Sequence, residues 1–496
     1  MSGSVATYFF LGAVLFLFWR DHKLRPMTSA ALWVPFLWFG IIGTRAVTYY
    51  FNTQEQMRSV DMNVDGSPVD ALCYGALLLA AIVILARRRL DWGAVLRSNT
   101  LVFLFFAYCL VSSLWSDWTL VSAKRWVKDL GQVLMVLVIL TETDRAAAIR
   151  ALLVRYAYIA LPISVLFIKY LPDFGRYYDR WLFTPMYRGV GMDKNALGAA
   201  VALACVALVW DLVERSSKPA TAPAPAAAAR AKAPGAPLTA AEALARRRQK
   251  KEAGAARVGD WIDVCTRLLL FAMGLWLLDK ADSTNAKLCL AMGLGLVLVC
   301  RRSMFKELKL VRRLGWAFFA VIFVGVLVYV TPLLDTILVA MGEDPTLTGR
   351  TDLWHDLIAI QDAPLIGSGY QTFWLEDYIN TLWQKYDFKP NNAHNGYLET
   401  YLNLGLVGFT LLISMLVTSV VRLRREMLAR APASALMFAL LAISLFYNWS
   451  EAMFSTITSM WFVTLLAVVH HDPAAVARRV PVRHYGADKL KTLASK

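Results

Sequence analysis

Residues 391–408 read NNAHNGYLETYLNLGLVG, and their composition changes midway. The first half is polar and holds His394, whereas the second opens an apolar run that continues to about residue 421. A run apolar on every side, and long enough to meet the roughly 20 residues a bilayer demands, predicts a membrane helix rather than an amphipathic one. The pattern recurs near 4–19, 30–50, 69–86, 99–115, 128–141, 151–170, 195–213, 262–278, 286–300, 314–331, 433–448 and 453–470, making thirteen runs with 398–421. At 58% hydrophobic residues the chain exceeds what a soluble domain of 496 residues carries. The expected fold is an all-α, polytopic integral membrane protein of about 12–13 transmembrane helices with one large loop outside the membrane.

The net charge of +16 raises the question of a nucleic-acid partner. Its distribution excludes one, because the basic residues alternate from connection to connection instead of gathering on one surface. Every second connection (20–29, 87–98, 142–150, 214–260, 301–313, 422–430 and the stretch after 470) is rich, together holding 35 Lys and Arg against 11 in the loops between. Basic loops stay cytoplasmic. The expected topology therefore has the amino terminus outside and the carboxyl terminus on the cytoplasmic side. Arg20, Lys23 and Arg25 follow the first apolar run rather than precede it, the reverse of a secretory leader. All six cysteines lie in or beside apolar runs, away from disulfide or metal-ligand spacing.

The chain divides into helices over 1–213, a disordered Ala/Pro-rich basic cytoplasmic linker over 214–260 with room for a short helix from 239, helices over 261–331, an outer loop over 332–395, helices over 396–470 and a tail over 471–496. The linker is too poor in aromatic residues to bury a core. The outer loop, with Trp354, Phe373, Trp374 and Trp383, can fold. Within it, Thr351 is placed to cap a helix that holds Asp352 in its first turn and stops before Pro364, setting Arg350 just ahead of the helix amino terminus. A second outer segment, 171–198, carries Arg176, Arg180, Arg188 and Lys194; the arginines there also suit pairing with Asp173, Asp179 and Asp193 or with lipid headgroups.

Four ordered stretches resemble one family. His394 and Asn395 are followed after nine residues by Gly405 and after two more by Gly408; RGVGMDKNALG stands at 188–198, LTGRTDLW and PLIGSGYQTFW within 347–374, and NWSEAMF at 448–454. Their order and spacing are similar to those of bacterial O-antigen ligases and Wzy-type polysaccharide polymerases, especially the exopolysaccharide-polymerase branch. The resemblance implies a GT-C-like, metal-independent, inverting glycosyltransferase without a cofactor. It would move a glycan from an undecaprenyl-diphosphate carrier to an acceptor glycan at the periplasmic face, with chain-length regulators or export proteins as possible partners. It also implies that His394 and Arg350 are the essential groups. Many members carry a Ser-Arg or Ser-Lys pair in the loop that here reads DKADSTNAK at 279–287, where Thr284 and Asn285 follow Ser283. Lys280, Lys287 or Arg188 stands in for the missing cation.

The residue chemistry agrees. Of six histidines, His355 and His394 alone fall on the outer side, and imidazole suits the deprotonation of an attacking hydroxyl. Arginine grips phosphate oxygens in a two-pronged geometry and stays charged, which suits Arg350 to a diphosphate leaving group. Glu399 lies in an apolar helix and Glu451 between the last two, a setting in which ionisable groups are commonly functional and otherwise serve in ion pairs. Glu399 is placed to orient His394 or hold a cation, and Glu451 to bind acceptor hydroxyls. Lys194, Asn195, Asn395 and Arg188 complete the candidate ligand set. Gly405 and Gly408 read as close helix-packing positions, as do Asn195 and Gly198. Arg45, Arg155 and Arg267 read as side chains snorkelling to the interface. Two other readings use the same features: a ligase moving finished glycan to lipid A-core or protein, and a transporter of the lipid-linked sugar, although no internal repeat is evident.

Overall fold

The computed structural model describes residues 2–24, 29–51, 66–88, 90–178, 184–215, 240–301, 350–376, 379–386, 389–429 and 431–471. The apolar run at 314–331, much of the 214–260 linker, the start of the outer loop and the tail after 471 lie outside them. In chain order the helices are α1 (Gly3–Leu24), α2 (Trp33–Ile42), α3 (Pro68–Arg87), α4 (Trp92–Ser98), α5 (Thr100–Ser112), α6 (Thr119–Leu140) and α7 (Arg145–Tyr170). A short antiparallel hairpin follows, β1 (Arg176–Tyr178) with β2 (Pro185–Tyr187), in the register Arg176 opposite Tyr187. Then come α8 (Lys194–Arg215), α9 (Ala240–Ala281), α10 (Thr284–Arg301), α11 (Arg350–Ile360), α12 (Ile379–Lys385), α13 (Gly396–Leu428), α14 (Ser434–Tyr447) and α15 (Ser459–Val468). The fold is an all-α, polytopic membrane protein.

Among the described residues six helices are long and apolar enough to cross a membrane, or seven if the pair α4–α5, bent by 90°, is one span. The expected thirteen runs map onto fewer full-length helices for local reasons. Several apolar runs form helices of 10 to 17 residues, as at Ser434–Tyr447 and Ser459–Val468. The run at 128–141 is the last part of α6, whose first half carries Lys124, Arg125, Lys128 and Asp129. Helix starts are fixed by side chains that accept first-turn N–H groups: Asp91, Asp144, Asn395 and Thr458.

Helices α7 and α8 form the centre, with 83% and 78% of their most apolar stretch buried, whereas α1 and α3 are 11% buried and turn leucine and aromatic side chains outward. The bundle has two unlike ends. At one, Arg20, Arg150, Arg155, Arg215 and Arg267 interlock with Asp21, Asp211 and Asp263, tying α1, α7, α8 and α9 together. Arg155 and Arg267 are 6% and 0% exposed, so both are buried ion-pair members rather than snorkelling chains. At the other end lies the hairpin loop, where Arg45, also buried, donates to the carbonyls of Phe174, Gly189 and Gly191. Arg45 too is a structural clamp, because the loop carbonyls it satisfies have no helix to bond to.

Helix α13 is broken. Gly405 has φ 62° and ψ −167°, a region open essentially to glycine alone. The segment 364–370 fills the gap. Leu406 and Val407 donate N–H to the carbonyls of Pro364 and Leu365 at 2.9 and 3.1 Å, while Ser368 and Gly369 donate to Leu402 and Asn403 at 3.2 and 2.9 Å. A Cβ on Gly405 would stand 2.3 Å from the backbone of Leu365. Gly405 therefore serves a backbone bend and a loop contact rather than helix-against-helix packing, and a Cβ on Gly408 would meet Leu404 of the same helix. Gly198 does meet a neighbouring helix, through Ala286.

Candidate functional site

The outer loop holds its own small core of Leu353, Trp354, Leu357, Phe373, Ile379, Leu382, Ala393 and Leu402. Burial of Leu353, Trp354 and Leu357 on one face of α11 sets that helix's orientation, while Ile358 is left outside. Arg350 is the first residue of α11 rather than the residue before it, and Thr351 lies within the helix instead of capping it. Residues four apart share a helix face. Trp354 donates to the carbonyl of Ala393 at 2.6 Å, and Arg350, one turn earlier, donates to the carbonyl of Ser450 at 2.9 Å.

His394 lies between that contact and α13. Its backbone is left-handed, with φ 49°. Neighbouring groups hold it there: its N–H donates to Asn392 Oδ1 at 2.8 Å, and the preceding N–H of Ala393 donates to Glu399 Oε2 at 2.9 Å. Asn395 caps α13, accepting from Tyr397 and Leu398 N–H at 3.0 and 3.1 Å. Glu399 also accepts from Trp374 Nε1 at 2.7 Å and Asn403 Nδ2 at 3.1 Å. It thus fixes the backbone that carries His394, within a saturated set of donors.

The carboxylate facing the imidazole is Glu451. Its Oε2 is 3.8 Å from His394 Nδ1, a nitrogen that is buried with no hydrogen-bond partner among the described residues, and its Oε1 accepts from Asn195 Nδ2 at 2.7 Å. Asn195 therefore acts through a hydrogen bond in the first turn of α8, not as a small packing residue. Its carbonyl accepts from Tyr447 Oη at 2.9 Å, which anchors the same turn to α14. Beside it, Asp193 is pushed above the ordinary carboxylate range, first by the protein crowded around it; Glu451 adds to the shift and His394 opposes it.

Asn448 joins the parts. This fully buried residue accepts Gly396 N–H through its carbonyl at 2.8 Å, while its Oδ1 accepts from Met453 and Phe454 N–H at 2.9 and 2.8 Å. It clamps the His394 turn to the loop carrying Glu451, leaving no room for a Cβ at Gly396, which would meet Asn448 Oδ1 at 2.1 Å. Its signal in the sequence was a lone amide in NWSEAMF between two apolar runs; the contacts behind it were not legible.

His394, Asn395, Glu399, Glu451, Asn195 and Arg350 are thus drawn into one site. Lys194 adjoins Asn195 in the chain. Lys280 and Lys287 flank the α9–α10 turn, packed near Gly198 through Ser283, and each faces an exposed carboxylate, Asp279 at 3.2 Å and Asp282 at 3.5 Å. Arg188 is differently employed: it is buried and donates to Phe174 and Asp173 carbonyls and to Tyr49 Oη at 3.0–3.2 Å. His355 is on the exposed side of α11.

Residues 268–413, which include Arg350 and His394, match the family described as O-antigen ligase. A stretch of 117 residues is 36% identical to exopolysaccharide production protein ExoQ of Rhizobium meliloti, covering 22% of this chain and 27% of that protein. Another of 83 residues is 34% identical to an uncharacterized protein of Haemophilus influenzae, covering 16% of this chain and 21% of the relative. The chain thus aligns with less than a third of the length of either. These matches and the four ordered motifs make segment 268–413 similar to the O-antigen ligase and Wzy-type polysaccharide polymerase family.

Proposed function

We propose that this chain is a polymerase that joins lipid-linked repeat units of an exopolysaccharide or O-antigen at the periplasmic face of the inner membrane. The observation that carries the reading is the convergence of His394, Glu451, Asn195 and Arg350 from four separate segments at one end of the bundle. In the proposed step an acceptor hydroxyl attacks the anomeric carbon of an undecaprenyl-diphosphate-linked oligosaccharide. The new bond joins hydroxyl oxygen to anomeric carbon, the bond to the diphosphate oxygen breaks, and configuration inverts. The hydroxyl proton passes to the imidazole nitrogen of His394 remote from Glu451, and Glu451 stabilises the resulting imidazolium across the 3.8 Å gap to Nδ1. Such gaps close as substrate binds. The departing diphosphate leaves as an anion stabilised by Arg350, with Lys194, Lys280 and Lys287 as further cations and no metal ion in the step.

The proposed orientation rests on charge: the connections near 99 and 145 lie beside the end of α15, where Arg145 bonds the His471 carbonyl and Asn99 the His470 carbonyl, and basic ends stay cytoplasmic. The acceptor is the growing glycan, the membrane lipid surrounds the site, and chain-length regulators or export proteins are the expected partners. A ligase transferring finished glycan to lipid A-core or protein would use the same site on a different acceptor. Deleting the gene and complementing it with wild type or His394→Ala separates these readings. Single repeat units left on the carrier support polymerisation; full-length glycan left there supports ligation; normal polymer with the alanine variant refutes the role of His394.

A further inference from the structure

Behind the His394 turn, on the side of α13 that carries Glu399, lies a cleft of about 520 Å³. This falls within the ~300–1,000 Å³ span of small-molecule sites. It adjoins the catalytic pair by chain connection. Asn392 lines it two residues before His394, and Ala452 lines it one residue after Glu451.

Its walls are aromatic rings and side-chain amides. Trp118, Trp374, Trp383 and Tyr370 contribute rings, while Gln371 and Asn380 contribute amides. Three of these rings are held at their polar edges by the protein: Trp374 by Glu399 at 2.7 Å, Trp383 by the Pro390 carbonyl at 2.8 Å, and Tyr370 by Asp129. Fixing the polar edge leaves a rigid ring for contact. Asn380 is exposed and has no side-chain partner among the described residues. A pyranose ring offers apolar C–H faces and a rim of hydroxyls. Held rings match the faces, and amides, which both donate and accept, match the rim.

The charge in the cleft selects further. Arg125 is the one cation among its described lining residues, and its guanidinium donates to the Gln371 carbonyl, whereas Glu376 and Glu399 supply two carboxylates. Arg350, Lys194, Lys280 and Lys287 are not among the lining residues. An anionic diphosphate has no welcome there. We propose that this cleft is the binding site for the uncharged sugar residues at the end of the acceptor glycan, with Trp118, Trp383 and Asn380 as specificity-determining residues. The proposal rests on the transferase reading above and names the acceptor subsite within it.

The test uses the full-length His394→Ala protein in lipid nanodiscs, so that binding is read without turnover. The probes are a lipid-free repeat-unit oligosaccharide, released by mild acid from the polymer of the source cell, and undecaprenyl diphosphate. Saturation-transfer NMR on the sugar C–H protons and tryptophan fluorescence report binding. The expected result is that Trp118→Ala and Trp383→Ala each weaken oligosaccharide binding about tenfold, as loss of one aromatic platform does, and leave undecaprenyl diphosphate affinity unchanged. Trp118→Phe retains most affinity. Asn380→Ala, at an exposed position that tolerates truncation, weakens oligosaccharide binding several-fold and keeps the proposal testable if a tryptophan variant fails to fold. Unchanged oligosaccharide binding across these variants overturns the proposal. So does loss of carrier-lipid binding instead, which would make the cleft a polyprenyl groove. Failure of the transferase reading shows separately, as normal polymer from His394→Ala in cells.

Discussion

At the scale of single residues, the pairing of His394 with Glu451 is the feature least visible in the sequence. Glu399, five positions on, looked the nearer partner; Glu451 is 57 positions away and reaches the imidazole because Asn448 binds the two loops. What was legible was chemistry by residue type, an outer histidine and an outer arginine, since those need no knowledge of packing. Glu451→Gln keeps the shape and the hydrogen bond from Asn195 but removes the charge facing Nδ1. Transfer should fall on the order of tenfold, and by less than in His394→Ala, where a general base worth roughly 10²-fold or more is lost. Steady-state polymer synthesis in membranes with equal amounts of each protein measures it; equal rates for Glu451→Gln and wild type would reject the pairing. A second residue-scale prediction concerns pH. Lys385 and Tyr386 both donate to Asp356, at 2.6 and 2.7 Å, and hold its carboxyl below the ordinary range. A depressed carboxyl pKa stabilises the fold above the unfolded value near 3.9 and loses that contribution as pH falls through the folded value. Residues 379–386 should therefore lose hydrogen-exchange protection, corrected for intrinsic rate, below about pH 4, and Asp356→Asn should show the loss already at neutral pH.

At the scale of elements, the existence of α13 was readable from its apolar run, and so was the presence of glycine at 405. The break was not, because a helix-forming window says nothing about a second segment arriving from 364–370. The break also bears on the transporter reading. Transporters leave helix breaks open to coordinate their cargo, whereas here the carbonyls of Leu402 and Asn403 and the N–H groups of Leu406 and Val407 are taken by the loop. Gly405→Ala forces an alanine into a glycine-only conformation, costing about 1–3 kcal/mol before the collision with Leu365 is counted. We expect a large fall in the yield of monodisperse protein on size exclusion in detergent. Yield and melting temperature equal to wild type would mean that the break is not required.

At the scale of the whole molecule, the apolar runs made the membrane class plain. The arginine–aspartate cluster joining α1, α7, α8 and α9 was hidden, since Asp21, Asp211 and Asp263 stand far apart in the chain and each resembles an isolated charge. Removing one member of a buried ion network costs more than the network contributes over an apolar replacement. Arg267→Ala should lower stability by roughly 3 kcal/mol, the low end for such a break, because Asp211 keeps Arg150 and Arg215. Thermal unfolding in nanodiscs measures this, and an unchanged midpoint would show that the remaining arginines suffice.

The plug in α13 has a further consequence for how the chain is made. Alone in lipid, a helix interrupted at Gly405 would present bare amide groups to hydrocarbon, at several kcal/mol apiece. Residues 364–370 leave the ribosome before residues 396–428 do, so the patch is synthesised ahead of the gap it closes. Insertion of this helix is thereby coupled to the arrival of the loop on the site's side of the membrane, and a chain that inserts the helix without the loop would stay frayed at its centre, exposed to membrane quality-control proteases.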